Sequence, residues 1–380
     1  MKKQYKTALS LILGSGLAAL VIGLGIYQQQ SSNHSQVNSS NSFSQTSSAE
    51  QAVFSWLGQI STPEVGACLF SENSDQCFVQ KAELCEEDMK VAKIAWKYYE
   101  NNYHPETGLV NSVNQYTSTT LWDTGSALAA TISAHDFGFI DQKEFDDRVV
   151  ALLKTLNTMV LFNGEAPNKA YNTKTAEMVD YNNQATPDGI GVSTLDLARI
   201  VSWLNTLLCQ HPKYEYQVNQ VLSRWDYRRL IKNGQMYGLA RDPVSNDIQV
   251  LQEGRLGYEQ YAGKIFAELG FDQSVAASYT NEFRRNMDIY HIPIAYDSRD
   301  PRELGAYNYV VTESYGLDVI ENGYDEINRE LVDNIYNVQV ARWRETGAVT
   351  AVSEDNVDRA PWFIYNTIFT AGLPWNTTTD

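Results

Sequence analysis

The chain has 380 residues, enough for one large domain or two smaller ones. Its 46 acidic residues outweigh 29 basic ones, a formal net charge of −17, which argues against nucleic acid or an anionic membrane surface as partner, because phosphate binding needs basic patches. A hydrophobic content of 43% excludes general disorder and allows a sizeable core.

In chain order, residues 1–7 carry Lys2, Lys3 and Lys6 and read as a cytoplasmic N-terminus. Residues 8–27 carry no charge and match the roughly 20 residues that span a bilayer as a helix. Positive charge precedes this run and none follows closely, which keeps the N-terminus inside. The run has no small-x-small cleavage site and no following Cys. An uncleaved anchor is therefore expected, with the body extracytoplasmic (periplasmic or at the cell surface). Residues 28–51 are a Ser/Gln/Asn tract that reads as a flexible tether. Residues 52–380 form the body. Its cysteines, Cys68, Cys77, Cys85 and Cys209, allow three connectivities. One pairing staples Cys68 to Cys77 and leaves Cys85 with Cys209.

From residue 88 the apolar spacing predicts helix after helix. The expected helices cover 88–101, 122–136, 141–161, 193–209, 213–232, 257–269, 272–286, 314–322, 325–345 and about 360–371. Very short turns join members of a pair, so paired helices run antiparallel. Long segments, roughly 162–192, 233–256, 287–312 and 346–358, separate the pairs. Residues 235–254, centred on Asp242-Pro243, read as a β-hairpin, and another is expected around Tyr296 to Gly305. The first helix of each pair is apolar and the second charged. This pattern predicts an all-α, double-walled helical barrel, an (α/α)6 toroid with β-hairpin insertions on one face.

The long loops then gather where the inner helices begin. Acidic residues recur there: Asp123, Asp188, Asp196, Glu253, Glu259, Glu313 and Glu354. Trp122, Tyr171, Tyr181, Tyr258, Tyr261, Tyr309, Tyr315, Trp362 and Tyr365 accompany them. Converging carboxylates flanked by flat rings suit glycosidic chemistry, in which one carboxyl protonates the leaving oxygen and another activates water or attacks. Each carboxylate also fits a plainer role, since an acid at a helix start complements the macrodipole. Thr120 to Asp123 and Ser193 to Asp196 have the spacing of capping boxes, with Asp in place of Glu. Glu253 follows a predicted strand and is harder to read as a cap. Other chemistries lack their signatures. Gly189-Ile190-Gly191 has no third glycine at dinucleotide spacing. No GxSxG elbow, GxxxxGK[ST] loop or HExxH motif occurs, and the five histidines are scattered. No metal and no cofactor is expected.

Trp122-Asp123-Thr-Gly-Ser, Pro167-Asn168-Lys169-Ala170-Tyr171-Asn172, Gly189 to Asp196 and Gln252 to Tyr261 together resemble a bacterial family, domain of unknown function number 3131. Thr350 to Glu354 and Pro361 to Asn366 continue the likeness, which covers about residues 88–376. The family resembles in turn the glucoamylase-like six-hairpin domains, including endo-β-1,2-glucanases and the glycan-processing domain of cyclic β-glucan synthases. The resemblance implies an (α/α)6 barrel acting on a β-glucan or cell-envelope polysaccharide. It implies that Asp123 holds the sugar at the cleavage subsite and that Glu253 is the general acid. Asp188, Glu313 and Glu354 remain alternatives for the base. Trp122, Asn168, Lys169, Tyr171, Asp196, Tyr258, Glu259, Tyr261, Trp362 and Tyr365 complete the expected sugar-binding set. The expected activity is a hydrolase, inverting and endo-glucanase-like, or a transglycosylase. The rival reading is a non-catalytic glycan-binding or envelope-assembly module on the same barrel.

Overall fold

The computed structural model describes residues 85–253, 255–299, 308–357, 359–361, 363–370 and 372–378. The expected anchor at 8–27 and tether at 28–51 lie outside these residues. Among the described residues, no helix is long and apolar enough to cross a membrane.

Helix starts follow side-chain caps written in the sequence. Thr120 accepts the Asp123 N–H at the head of α2 (Leu121–Asp136), and Asp141 accepts the Glu144 N–H at the head of α3 (Gln142–Thr158). Ser193 accepts the Asp196 N–H at the head of α4 (Thr194–Gln210), and Asp325 caps α8 (Glu326–Thr346). The other helices are α1 (Glu86–Asn101), α5 (Glu215–Ser223), α6 (Tyr258–Glu268) and α7 (Thr312–Asn322).

The apolar helices form the inner wall. In turn, α2 packs on α4, α4 on α6, and α6 on α7. Ile200, Leu204 and Leu207 of α4 are fully buried, each contributing on the order of 2 kcal/mol by apolar burial. The outer members α3, α5 and α8 each follow an inner helix through a short turn. Helix α8 buries only Asn328, Leu331, Ile335 and Val338 of its 21 residues, as an outer wall should. The short turns, 137–141, 211–214 and 323–325, share one end of the array, where the His135 and His211 rings lie 5.6 Å apart. The opposite end collects the starts of α2, α4, α6 and α7 and the longer loops.

Three expected helices are wholly or partly strand. Residues 213–232 stay helical only to Ser223, and Ile231–Lys232 then turns back on Gln235 and Met236 through Asn233-Gly234. Both turn residues have positive φ, the backbone that an Asn-Gly hairpin favours. Within 272–286, residues from Arg284 form β6 (Arg284–Ile289), which pairs with β7 (Ile292–Asp297) around Tyr290-His291, also both at positive φ. At the C-terminus, β9 (Phe363–Asn366) pairs with β8 (Ser353–Asn356) where a helix is expected. Its Phe-Ile-Tyr run suits a pleated, half-buried surface. The barrel is therefore built in part: among the described residues α2/α3, α4/α5 and α7/α8 are pairs, while α1 and α6 have no helical hairpin partner.

Earlier strands shape the loop-rich end. β1 (Ser118–Thr120) pairs with β2 (Ala170–Asn172). β3 (Gly191–Val192) and β5 (Ile248–Gln252) both pair with β4 (Gln235–Arg241), so the hairpin about Asp242-Pro243 is formed. A second, smaller core lies among α7, α8, the β6–β7 hairpin and the C-terminal strands. Cys209 is disulfide-bonded, while Cys85 is a free, exposed thiol, so Cys85 is not the partner of Cys209.

Candidate active site

Four carboxylates from four separate segments meet at the loop-rich end: Asp123 on α2, Asp196 on α4, Glu253 between β5 and α6, and Glu354 on β8. Their charges act on one another. Asp196 is pushed up to about 7, first by burial and then by the charges of Glu253 and Asp123, against Ser193 and Lys169. Glu354 is pushed up to about 8, by burial and by Asp123 and Asp196, against Arg255 and Arg199. Burial also raises Asp123 and Glu253.

Each acid is oriented by its own fold element. Asp123 and Asp196 sit in the first turns of α2 and α4, where the N-cap hydroxyls of Thr120 and Ser193 accept their backbone N–H groups, the first half of the capping box expected from their spacing. Asp123 Oδ2 accepts from Ser112 Oγ at 2.5 Å and Thr120 Oγ1 at 2.8 Å. Ser193 Oγ donates to Asp196 Oδ1 at 2.8 Å. Both carboxylates are half-buried; the Thr120 backbone N–H also bonds the Asp123 carboxylate, and no described hydrogen bond occupies Asp196 Oδ2. Glu253 is 9% exposed and lies across the start of α4, where its Oε2 accepts the N–H groups of Thr194 and Leu195 at 3.1 and 3.0 Å. These are unpaired donors of a helix start, and they favour the anion. Gly238 makes the room: a Cβ there would stand 2.2 Å from Glu253 Oε1. The Tyr258 hydroxyl donates to Glu354 Oε1.

Aromatic rings line the same place. Trp122 packs edge-on against Tyr258 and Tyr261, at 5.7 and 5.8 Å between ring centroids. Tyr365, opposite Glu354 in the β8–β9 pair, stacks on Tyr309 at 3.8 Å. Lys169 lowers the pKa of both Asp196 and Glu253.

Other residues of the expected set fall elsewhere. Asp188 is exposed on a turn, and its carbonyl, not its carboxylate, accepts from Arg241. Asn168 is a backbone brace: its Oδ1 accepts from Ile190 and Gly191, and its Nδ2 donates to Ala170 and Val179. Tyr171 accepts the Asn168 N–H and donates to the Val160 carbonyl. Glu259 is fully buried with Arg299, which also binds Asp297 through Nε at 3.0 Å. Tyr261 donates to Glu321 Oε2 at 2.6 Å. Glu313 is 4% exposed and lies against β8, where the backbone N–H groups of Glu313 and Glu354 lower its pKa and the Asp355 charge raises it. Burial pushes it up to about 8. Trp362 lies outside the described residues. Among the described residues no group of three or more His, Cys, Asp or Glu is placed to hold a metal ion.

Sequence reading missed three contributors. Ser112 orients Asp123 from a loop with no motif of its own. Arg255 stands inside the segment Gln252 to Tyr261 and lies 5.1 Å from the Tyr309 ring. Arg199 stacks 4.9 Å from the Trp122 ring and binds Glu321 at 2.9 Å. Arg199 did carry a signal, a single cation in an otherwise apolar helix, which burial tolerates only when paired.

The comparisons agree with this architecture. The family model described as "Protein of unknown function (DUF3131)" matches residues 90–380. A Bacteroides uniformis structure described as a "putative glucoamylase" is 12% identical, with a TM-score of 0.51 over 74% of each chain. One from Bacteroides fragilis, described in the same words, is 12% identical, with a TM-score of 0.50 over 77% of this chain and 76% of its own. An endo-β-1,2-glucanase from Chitinophaga pinensis, in complex with sophorotriose and glucose, is 10% identical, with a TM-score of 0.48 over 72% of this chain and 71% of its own. No curated protein matches the chain. At these identities the likeness is one of fold, that of a glucoamylase-like helical barrel.

Proposed function

The chain belongs to the DUF3131 family and has a glucoamylase-like fold, and on that premise we propose that it is a glycoside hydrolase or transglycosylase acting on a β-glucan or cell-envelope polysaccharide. The observation that carries this reading is the meeting of Asp123, Asp196, Glu253 and Glu354 beside Trp122 and Tyr258. A binding module has no need of several carboxylates whose charges raise one another's pKa, whereas acid–base chemistry does.

Glu354 takes the role of general acid. Pushed up to about 8, it keeps its proton at neutral pH and can give it to the leaving oxygen. Glu253 takes the role of base. The sequence expectation made it the acid, but two backbone N–H donors at a helix start stabilise its charged form. Asp196 keeps one carboxylate oxygen for a sugar hydroxyl, Asp123 stands beside it as a second acceptor, and Trp122 offers an apolar face. The body works outside the cytoplasm, tethered by residues 8–27. Inversion is the expected stereochemical outcome.

The test is a panel of β-glucans and envelope glycans incubated with residues 52–380, with products separated by chromatography and the anomeric proton followed by NMR. Released oligosaccharides with inverted configuration support the assignment. Saturable binding with no product from any glycan turns the reading to the non-catalytic module.

A further inference from the structure

Two loops rise beside Asp123, and each has its foot at the acids. The first, 112–118, begins at Ser112, whose hydroxyl bonds Asp123 and whose N–H donates to the Ser118 carbonyl. A bridge between Val113 and Tyr116 closes its tip. The second, 173–186, leaves β2. Lys169, whose charge acts on Asp196 and Glu253, stands just before that strand. Bridges between Tyr171 and Met178 and between Val179 and Ala185 close this loop. β1 runs straight into α2, and its Ser118 pairs with Asn172 at the end away from the helix. Both loops therefore extend outward from the loop-rich end, on the Asp123 side of the site.

The two tips are tied together. The Tyr116 hydroxyl donates to the Tyr181 carbonyl at 3.0 Å. Asn183 donates to Thr117 Oγ1 at 3.0 Å and accepts from Asn172 at 3.1 Å. Asn102 holds the first tip, accepting the Gln115 N–H and donating to Asn114. Asp180 holds the second, accepting the N–H groups of Asn182 and Gln184. This bracing fixes a tyrosine on each tip. Tyr116 is half-buried and Tyr181 is 55% exposed. The other exposed aromatic rings among the described residues, Tyr216, Tyr324, Tyr336 and Trp343, lie on or beside the outer helices α5 and α8. Tyr181 instead stands at the loop-rich end. A ring held in place before a ligand arrives binds without a further ordering cost, and a tyrosine offers an apolar face with a polar edge. Tyr116 is two residues from Ser118, at most about 7 Å of chain, so the tips lie a short step beyond Asp123. The Asp180 charge acts on Tyr116, which disfavours an anionic ring there.

We propose that Tyr116 and Tyr181 form an outer subsite for a pyranose ring of a neutral β-glucan, further along the same chain whose bond is cut at the carboxylates. The proposal rests on the glycan reading above. Its consequence is a preference for long chains over short ones, since only a chain that reaches from the acids to the loop tips gains the contact. Binding energy won there is remote from the reacting bond, so it favours the long substrate without taking part in proton transfer.

The test compares the trimer and the octamer of β-1,2-, β-1,3- and β-1,4-linked glucose on the full chain, by calorimetric titration and by initial rates. Wild type should prefer the octamer. In Tyr181→Ala that preference should shrink by about five- to tenfold, in Kd and KM rather than in kcat. Tyr181→Phe keeps the ring and should hold the preference within about twofold of wild type. Tyr116→Phe removes the hydroxyl that fixes the Tyr181 carbonyl and should give an intermediate loss. A wild type that treats trimer and octamer alike, or an octamer preference that survives in Tyr181→Ala, would overturn the outer subsite and leave the carboxylate site standing. A wild type that neither binds nor cleaves any of these probes would overturn the β-glucan reading itself, and the subsite with it.

Discussion

The molecule buries two kinds of charged cluster, and they differ in their partners. In one, four buried acids along the inner helices and the β6–β7 hairpin each have a cation. Arg199 holds Glu321, Arg299 holds Glu259 and Asp297, and Lys264 holds Asp318. In the other, at the loop-rich end, Asp123, Asp196, Glu253 and Glu354 crowd together with no ion pair among the described residues, and Lys169, Arg255 and Arg199 compensate only from a distance. Burial alone does not distinguish a structural acid from a working one, since Glu259 is more buried than Glu253. The surroundings do: Glu259, pushed up to about 7 by burial, is still tied to Arg299, whereas the acids of the loop-rich end have no ion-pair partner among the described residues and face one another.

Breaking the first cluster should cost the most stability. Arg199→Met leaves Glu321 buried without its cation and should lower unfolding stability by about 3–5 kcal/mol in a denaturant titration. Breaking the second should cost activity instead. Glu354→Gln should reduce turnover by about 10²–10⁴-fold. The pH profile sharpens the contrast. Glu354 is protonated below about 8, so activity should fall as pH rises through that value, and the falling limb should move in Tyr258→Phe, which removes the hydroxyl on Oε1. Glu313 should affect stability as pH changes. Its pKa is raised from 4.5 in the unfolded chain to about 8, so its contribution is fully present below about 4.5 and is lost as pH rises through 8. Thermal scans should show the melting temperature falling by several degrees over that window, and less steeply in Glu313→Gln. Asp188→Asn, on an exposed turn, should change stability by no more than about 0.5 kcal/mol and leave turnover unchanged.

Much of this was legible in the sequence. The helices at 86–101, 121–136, 194–210, 258–268 and 326–346 follow apolar spacing and caps, and the wall assignment follows from which helices carry charge. Periodicity failed where a hairpin carries helix-like composition. The helix expected at 213–232 took in Ile231 and Lys232, which the Asn233-Gly234 turn beyond it makes the first strand of a hairpin. Arg284 to Asp297 alternates too weakly for the eye, and its turn residues Tyr290 and His291 give no glycine cue. The site divided along the same line. Asp123 and Asp196 could be placed because helix starts converge at one end of the barrel. Asn168 and Tyr171 could not be told from sugar ligands, because a side chain that braces backbone has the same composition as one that binds a hydroxyl. Glu354 stood among several equals, and what sets it apart is the Tyr258 hydroxyl on its Oε1, a contact between distant segments.

The most direct test of the account measures Glu354→Gln and wild type side by side, for glycan turnover and for the unfolding midpoint. The account predicts turnover at least about 100-fold lower with the midpoint unchanged or raised, because a neutral amide replaces an acid whose buried charge is unfavourable. Full turnover in Glu354→Gln would contradict it.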